Sequence, residues 1–131
     1  GYFVAPTVFQ VDSNGLSLCQ EEVFGPVVSI QVFEDDGEAL SLANDSRFGL
    51  VGYCWTNSLA RAQAFQQLVD AGTLWINTPL ARDLRAPFGG FKESGVGRDG
   101  PRQAADFFTE EKATITAVGT PPIRKLGTAA D

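Results

Sequence analysis

Histidine is absent from this chain of 131 residues. Without an imidazole, a His-type zinc site, a Ser-His-Asp triad and a Cys-His pair are all excluded within it. Methionine is absent too, so the chain lacks an initiator and reads as processed or as a piece of something longer. Its two cysteines, Cys19 and Cys54, have neither a framework spacing nor a secretory signal to support a disulfide. No apolar run approaches the ~20 residues that span a bilayer, and no basic-then-apolar start suggests a signal peptide. Basic residues are scarce, ten Lys+Arg against sixteen Asp+Glu, for a net charge of −6. Such a chain repels phosphate backbones and anionic lipid, so neither a nucleic-acid nor a membrane partner is expected. What is present is ordinary globular material, 44% hydrophobic and 20% charged. The length suits one domain, which can bury roughly two thirds of its surface.

Pattern along the chain predicts an α/β fold. Residues 2–10 are β-branched and aromatic around Pro6, and Asp12-Ser13-Asn14-Gly15 is a turn cluster. Val28, Ile30 and Val32 alternate with Ser29 and Gln31 as a strand with one apolar face. Asp35 with Glu38 has the spacing of a capping box, ahead of a helix through Ala39, Leu40, Leu42 and Ala43. Leu50 to Trp55 reads as a buried strand. A second helix is expected from Asn57 or Ser58 to Gly72, where glycine supplies a left-handed closing residue. Thr73 to Asn77 is the next strand. The order from Val27 to Asn77 is thus β-α-β-α-β, with connections that predict one parallel sheet. Ligands of such sheets lie beyond the carboxyl ends of the strands, which points to the irregular loop over residues 78–98. A short helix near residues 103–108 and a strand over 113–118 are expected next, then an extended tail.

Charge is placed unevenly. No Lys or Arg precedes Arg47, while eight acids do. Arg82, Arg85, Lys92, Arg98 and Arg102 then face only Asp83, Glu93 and Asp99 in the same stretch. One reading is loop solubility with local ion pairs, such as that of Arg82 with Asp83. The other is an arginine that receives an anionic ligand, which the planar guanidinium does well.

Gly95-Val96-Gly97-Arg98-Asp99-Gly100 formally matches the dinucleotide fingerprint, but no strand runs directly into it and no acid follows about 20 residues on. Cys54 lies in an apolar run where an inert thiol is the default, and Cys19 is followed by carboxylates and not by a base that would activate it. Glu21-Glu22-Val23-Phe24-Gly25-Pro26 admits two readings. It is surface decoration before a strand, or a carboxylate that accepts from a vicinal diol beside a ring that packs on a flat base.

Several motifs stand in a consistent order: Glu21 to Val27; Ala43-Asn44-Asp45-Ser46 with Phe48-Gly49-Leu50; Ala71-Gly72-Thr73 with Asn77; Pro87-Phe88-Gly89-Gly90-Phe91-Lys92 with Ser94-Gly95 and Gly97-Arg98. Together they resemble the C-terminal part of an NAD(P)-dependent aldehyde dehydrogenase, from Gly1 to about Val118. The resemblance implies that residues 1–111 are the C-terminal part of the catalytic domain and 112–131 an oligomerisation strand and tail. It implies that Glu22 hydrogen-bonds the nicotinamide ribose, Phe24 packs near the nicotinamide and Phe88 lines the substrate pocket. Arg82 falls where many members of the family place an aromatic or apolar pocket residue.

Arg82-Asp83-Leu84-Arg85 and Pro122-Ile123-Arg124-Lys125-Leu126-Gly127 look like the branch of the family that acts on muconate-type semialdehydes, whose carboxylate would explain an arginine at the pocket wall. Pro79-Leu80-Ala81 departs from the more polar residues expected there. The family's mechanism needs a cysteine nucleophile and a glutamate base, which belong upstream of Gly1; neither Cys19 nor Cys54 stands in the nucleophile's motif. The implied whole is a cytoplasmic enzyme, a homo-dimer or tetramer joined through the tail, that uses NAD or NADP on a small aldehyde, and the chain alone is expected not to turn over. The alternative is a freestanding, non-catalytic assembly module of the same fold.

Overall fold

The computed structural model describes residues 1–120 and Gly127. Its elements in chain order are β1 (Thr7–Gln10), α1 (Ser17–Gln20), β2 (Val27–Ile30), α2 (Asp36–Asn44), β3 (Phe48–Gly49), β4 (Val51–Cys54), α3 (Leu59–Leu68), β5 (Thr73–Ile76), β6 (Phe91–Lys92) and α4 (Pro101–Phe108).

Local chemistry explains the helix starts. Asp35 caps α2 by accepting from the Glu38 amide at 2.8 Å. The Glu38 carboxylate reaches back to the Glu34 amide at 2.6 Å, one residue beyond the partner that a strict capping box would give it. Ser58 caps α3 and accepts from the Arg61 amide at 3.4 Å. Pro101 opens α4, where its missing N–H costs nothing.

The parallel pairing expected from the β-α-β order is present, but it is split. β1 pairs parallel with β2, Thr7 opposite Val27, and β4 pairs parallel with β5, Val51 opposite Thr73. β3 and β6 form a third, antiparallel pair. The single β-α-β-α-β sheet is therefore corrected to three two-stranded sheets among the described residues. The reason is that β1 takes an edge of β2, while the crossover through α3 delivers β5 to β4. Ladder pairing rewards whichever edge is adjacent, and periodicity does not name the partner.

Helices α2 and α3 are tied by side chains rather than by a packed stripe. Asn44, the last residue of α2, donates to the Leu68 carbonyl at 2.7 Å and accepts from the Asp70 amide at 2.8 Å. Arg61 of α3 pairs with Asp36 of α2 at 2.8 Å, in the open. Only Val11 and Val69 are buried hydrophobic side chains among the described residues, so the apolar material that the composition promises lies mostly on open faces.

Two further expectations are corrected. Helix α3 closes at Val69 in extended backbone, not at Gly72 in a left-handed one. The Val69 and Asp70 backbone turns out early because Asn44 captures the Asp70 amide. Gly72 is instead a close-approach residue, since a Cβ there would overlap the Gly89 carbonyl oxygen. The strand expected over residues 113–118 has no ladder partner among the described residues, and Ile115 and Val118 are fully exposed. Alternating residues alone do not make a strand without a neighbouring edge. Most of the tail motif, 122–126, lies outside the described residues.

Candidate functional site

The site grows from the end of β5. Asn77 follows it with φ of 55°, a left-handed conformation that asparagine tolerates better than most residues. Its amide donates to the Cys54 carbonyl at 2.8 Å. Its side chain then pairs with Thr56 in both directions, accepting from the amide at 2.8 Å and donating to the carbonyl at 2.7 Å. The chain thereby leaves the sheet pair in a fixed direction.

Within the loop, the Asp83 carboxylate accepts from the Arg85 amide at 2.9 Å and from its guanidinium at 2.7 Å. The Arg85 side-chain bonds are the main reason that the Asp83 carboxyl is held below its usual range and the Arg85 guanidinium above its own. The expected local ion pair thus exists, but with Arg85 in place of Arg82.

Downstream, Phe88 and Asp99 exchange two backbone hydrogen bonds at 2.7 Å each. Arg98 donates to the Gly90 and Gly97 carbonyls at 2.8 Å and stacks over Phe91. Lys92 donates to the carbonyls of Asn44 at 2.8 Å and Ser46 at 3.0 Å. Gly95 to Gly100 lies between two-residue β6 and α4, with no strand leading into it.

These pairings sort the basic cluster. Lys92 and Arg98 hold backbone, and Arg85 holds Asp83. The Arg82 guanidinium makes no hydrogen bond or ion pair among the described residues and lies 5.9 Å from the centre of the Phe88 ring. Arg82 and Phe88 share a cavity of about 320 Å³ with Thr73, Trp75, Asp99 and Pro101. The buried Thr73 hydroxyl has no partner among the described residues. The cleft is mainly apolar and carries the uncommitted Arg82 guanidinium together with Asp83, paired with Arg85, and Asp99; the guanidinium suits the anionic end of an elongated ligand.

The other two candidates stand elsewhere. Glu22 borders a separate cavity of about 520 Å³ with Ser46, Phe48, Leu50, Glu93 and Ser94. Phe24 is 93% exposed. The structure therefore brings Arg82 and Phe88 together but places Glu22 and Phe24 in neither their cavity nor a common one. Sequence reasoning did not single out Trp75, whose place in an apolar strand reads as core, or Asp99, whose pairing with Phe88 needs the loop's path. Cys54 lines a third, smaller cavity between α2 and α3, and both cysteines are free thiols. Among the described residues no group of three or more His, Cys, Asp or Glu could hold a metal ion, and no helix is long and apolar enough to cross a membrane.

With this geometry in hand, comparison with known proteins identifies the class: residues 1–114 match the aldehyde dehydrogenase family, and the chain belongs to it. It is 41% identical over 113 residues to a 2-aminomuconic semialdehyde dehydrogenase from Danio rerio, covering 86% of this chain and 23% of that protein. It is likewise 41% identical over 119 residues to a betaine aldehyde dehydrogenase from Rhizobium etli, covering 91% of this chain and 24% of that one. Among solved structures, an aldehyde dehydrogenase from Mycobacterium tuberculosis complexed with NAD+ superposes with a TM-score of 0.80 at 37% identity, over 93% of this chain and 25% of that one. The chain thus spans about a quarter of the length of the proteins that it matches.

Proposed function

We propose that this chain is the C-terminal part of an enzyme that oxidises a carboxylated aldehyde to the acid with NAD(P), resembling most a 5-carboxymethyl-2-hydroxymuconate semialdehyde dehydrogenase. In this reading residues 1–111 complete the catalytic domain, and 112–131 join subunits of a cytoplasmic homo-dimer or tetramer. Overall identity does not choose the substrate, because the relatives named for a semialdehyde and for betaine aldehyde are equally similar. The observation that carries the proposal is Arg82, an uncommitted cation over Phe88 in the loop cavity. A carboxylate satisfies that cation, whereas a quaternary ammonium is repelled by it.

The residues present fit the cofactor contact assigned to them. Glu22 borders a cavity, makes no described hydrogen bond and offers two acceptor oxygens for a diol; the Phe24 ring is open to pack on a flat group. When bound, NAD(P) supplies a hydride acceptor. In this reading Glu22 would orient its ribose and Phe24 would pack near its nicotinamide, while Phe88 and Trp75 would wall the aldehyde's body and Arg82 would hold its anionic end. The nucleophile and the general base belong to the rest of the enzyme.

The test is Arg82→Ala in the whole enzyme. A charge-assisted hydrogen bond is worth about 1.5–3 kcal/mol, so kcat/KM for a carboxylated aldehyde should fall roughly 10- to 150-fold, with a neutral aldehyde unaffected. Equal losses on both substrates would remove the carboxylate reading and leave the family membership intact. The exposed segment that contains Ile115 and Val118 favours a second reading, a non-catalytic module that adds an edge to full-length subunits. That reading requires a native product of this length that co-purifies with a longer chain.

A further inference from the structure

We infer that Trp75 is the positioning residue of this site: its indole N–H fixes the loop that carries Arg82, and so sets the enzyme's discrimination for an anionic aldehyde. The inference rests on the reading of Arg82 as the carboxylate receptor. Trp75 Nε1 donates to the carbonyl of Ala81, the residue before Arg82, at 2.6 Å. Among the described hydrogen bonds, this is the one that joins residues 78–86 to the rest of the chain. The others within that segment are local, Asp83 with Arg85 and the Ala86 amide with the Asp83 carbonyl at 3.0 Å.

The anchor itself is rigid. Trp75 stands opposite Tyr53 in the β4–β5 register, and their rings stack at 5.1 Å and 11°. Tyr53 stacks in turn on Trp55 at 5.9 Å and 22°. Two aromatic rings on the paired strands, with Trp55 just past the end of β4, thus hold the donor, and they leave the indole little freedom to follow a moving loop.

The loop needs such an anchor. Leu80 has φ of 54°, a left-handed conformation unfavourable for a side chain with a Cβ. Leu80 is also exposed, so its side chain supplies no packing to compensate. A strained backbone persists only where its surroundings over-determine it, and the Trp75–Ala81 bond is the described contact placed to do so. With the bond lost, Leu80 relaxes toward negative φ. The chain direction then changes two residues before the Arg82 guanidinium is fixed over Phe88.

Three variants of the whole enzyme test this. Trp75→Phe keeps an aromatic stack on Tyr53 and removes the donor. Because Trp75 also lines the cavity, any change in wall shape acts on both substrates alike; beyond that common change, KM for a carboxylated aldehyde should rise roughly 3- to 10-fold more than KM for a neutral aldehyde of equal size, the range of one neutral hydrogen bond. Arg82→Ala gives the reference loss of discrimination, and the double variant should discriminate between the two aldehydes no less than Arg82→Ala alone, because Trp75 acts on the carboxylate only through that side chain. If Trp75→Phe folds poorly, replacement of Trp75 by β-(3-benzothienyl)alanine, which keeps the bicycle and substitutes sulfur for N–H, should give the same KM rise. A wild-type KM in the Trp75 variants beside an impaired Arg82→Ala overturns the positioning role and leaves the substrate reading standing. Equal loss on both aldehydes overturns it in favour of a merely structural tryptophan. An Arg82→Ala enzyme that does not discriminate removes the substrate reading, and this inference with it.

Discussion

Alanine at Gly72 should be among the most damaging single-methyl additions in the chain. The Cβ would overlap the Gly89 carbonyl oxygen, lie 2.7 Å from the Gly89 carbonyl carbon and 3.2 Å from Gly90 Cα. Carbon atoms in favourable contact stand about 3.5–4.0 Å apart, and the overlap with the carbonyl oxygen is more severe than either carbon contact, so one backbone must retreat by more than about 1 Å. Neither can do so freely. The Gly72 amide donates to the Gly49 carbonyl at 3.0 Å, and the next amide, of Thr73, to Leu50 at 3.2 Å. On the other side, Phe88 is bonded twice to Asp99, and the Gly90 carbonyl accepts from Arg98. Overpacking against fixed backbone costs typically 1–3 kcal/mol, and the overlap places Gly72→Ala at the upper end, about 2–3 kcal/mol. Each kcal/mol moves the Tm of a 150–250-residue domain by about 2–4 °C, so a drop of several degrees is expected.

The same displacement moves Phe88 and the α4 start, so kcat/KM should fall along with stability. Thermal or urea unfolding of the whole enzyme, with kinetics on the folded fraction, reads both effects. Gly97→Ala is the matched control, because nothing lies within 4 Å of its Cβ and its φ is not in the left-handed range. It should be neutral or slightly stabilising through the unfolded chain. A Gly72→Ala enzyme as stable as the Gly97→Ala control would refute the reasoning.

Two further outcomes accompany the substrate tests on Arg82 and Trp75. Asn77→Ala loses the paired bonds to Thr56 and places a Cβ-bearing residue at φ of 55° without asparagine's tolerance for it, so stability should fall by about 1–3 kcal/mol. Asn77→Gly should recover only the part due to φ, and full recovery would show that the bonds contribute nothing. For Asp83 the folded pKa is lowered by Arg85, so the stability from this pair is present above the unfolded carboxyl pKa of about 3.9 and is lost as pH falls through the lower folded value. The small Tm difference between wild type and Arg85→Ala at pH 7 should therefore vanish in that acid window. A difference that persists unchanged below it would assign the effect to packing instead.

Features carried by short-range chemistry could be read before the fold was known. Asp35 and Ser58 announce α2 and α3 because a capping side chain reaches its own amides within three residues. The Asn14-Gly15 turn and the strand over Val27–Ile30 follow from equally local preferences. The loop after Asn77 could be located as the place for ligands because connection lengths imply parallel pairing, and β4 with β5 obeys that rule. Family membership could be read because several motifs keep their order and spacing together.

The tertiary structure alone decided which strand meets which, because a ladder accepts any adjacent edge and alternation carries no address. It decided that Gly72 serves a close crossing and not a helix end, because that role depends on Gly89, seventeen residues away in sequence and in contact only after folding. It separated Arg82 from three basic neighbours that composition makes equivalent, by giving backbone carbonyls to Lys92 and Arg98 and a carboxylate to Arg85. Residue types and short spacings specify what a side chain is able to do. Which ability is left unspent depends on partners that only the folded chain brings within hydrogen-bond reach.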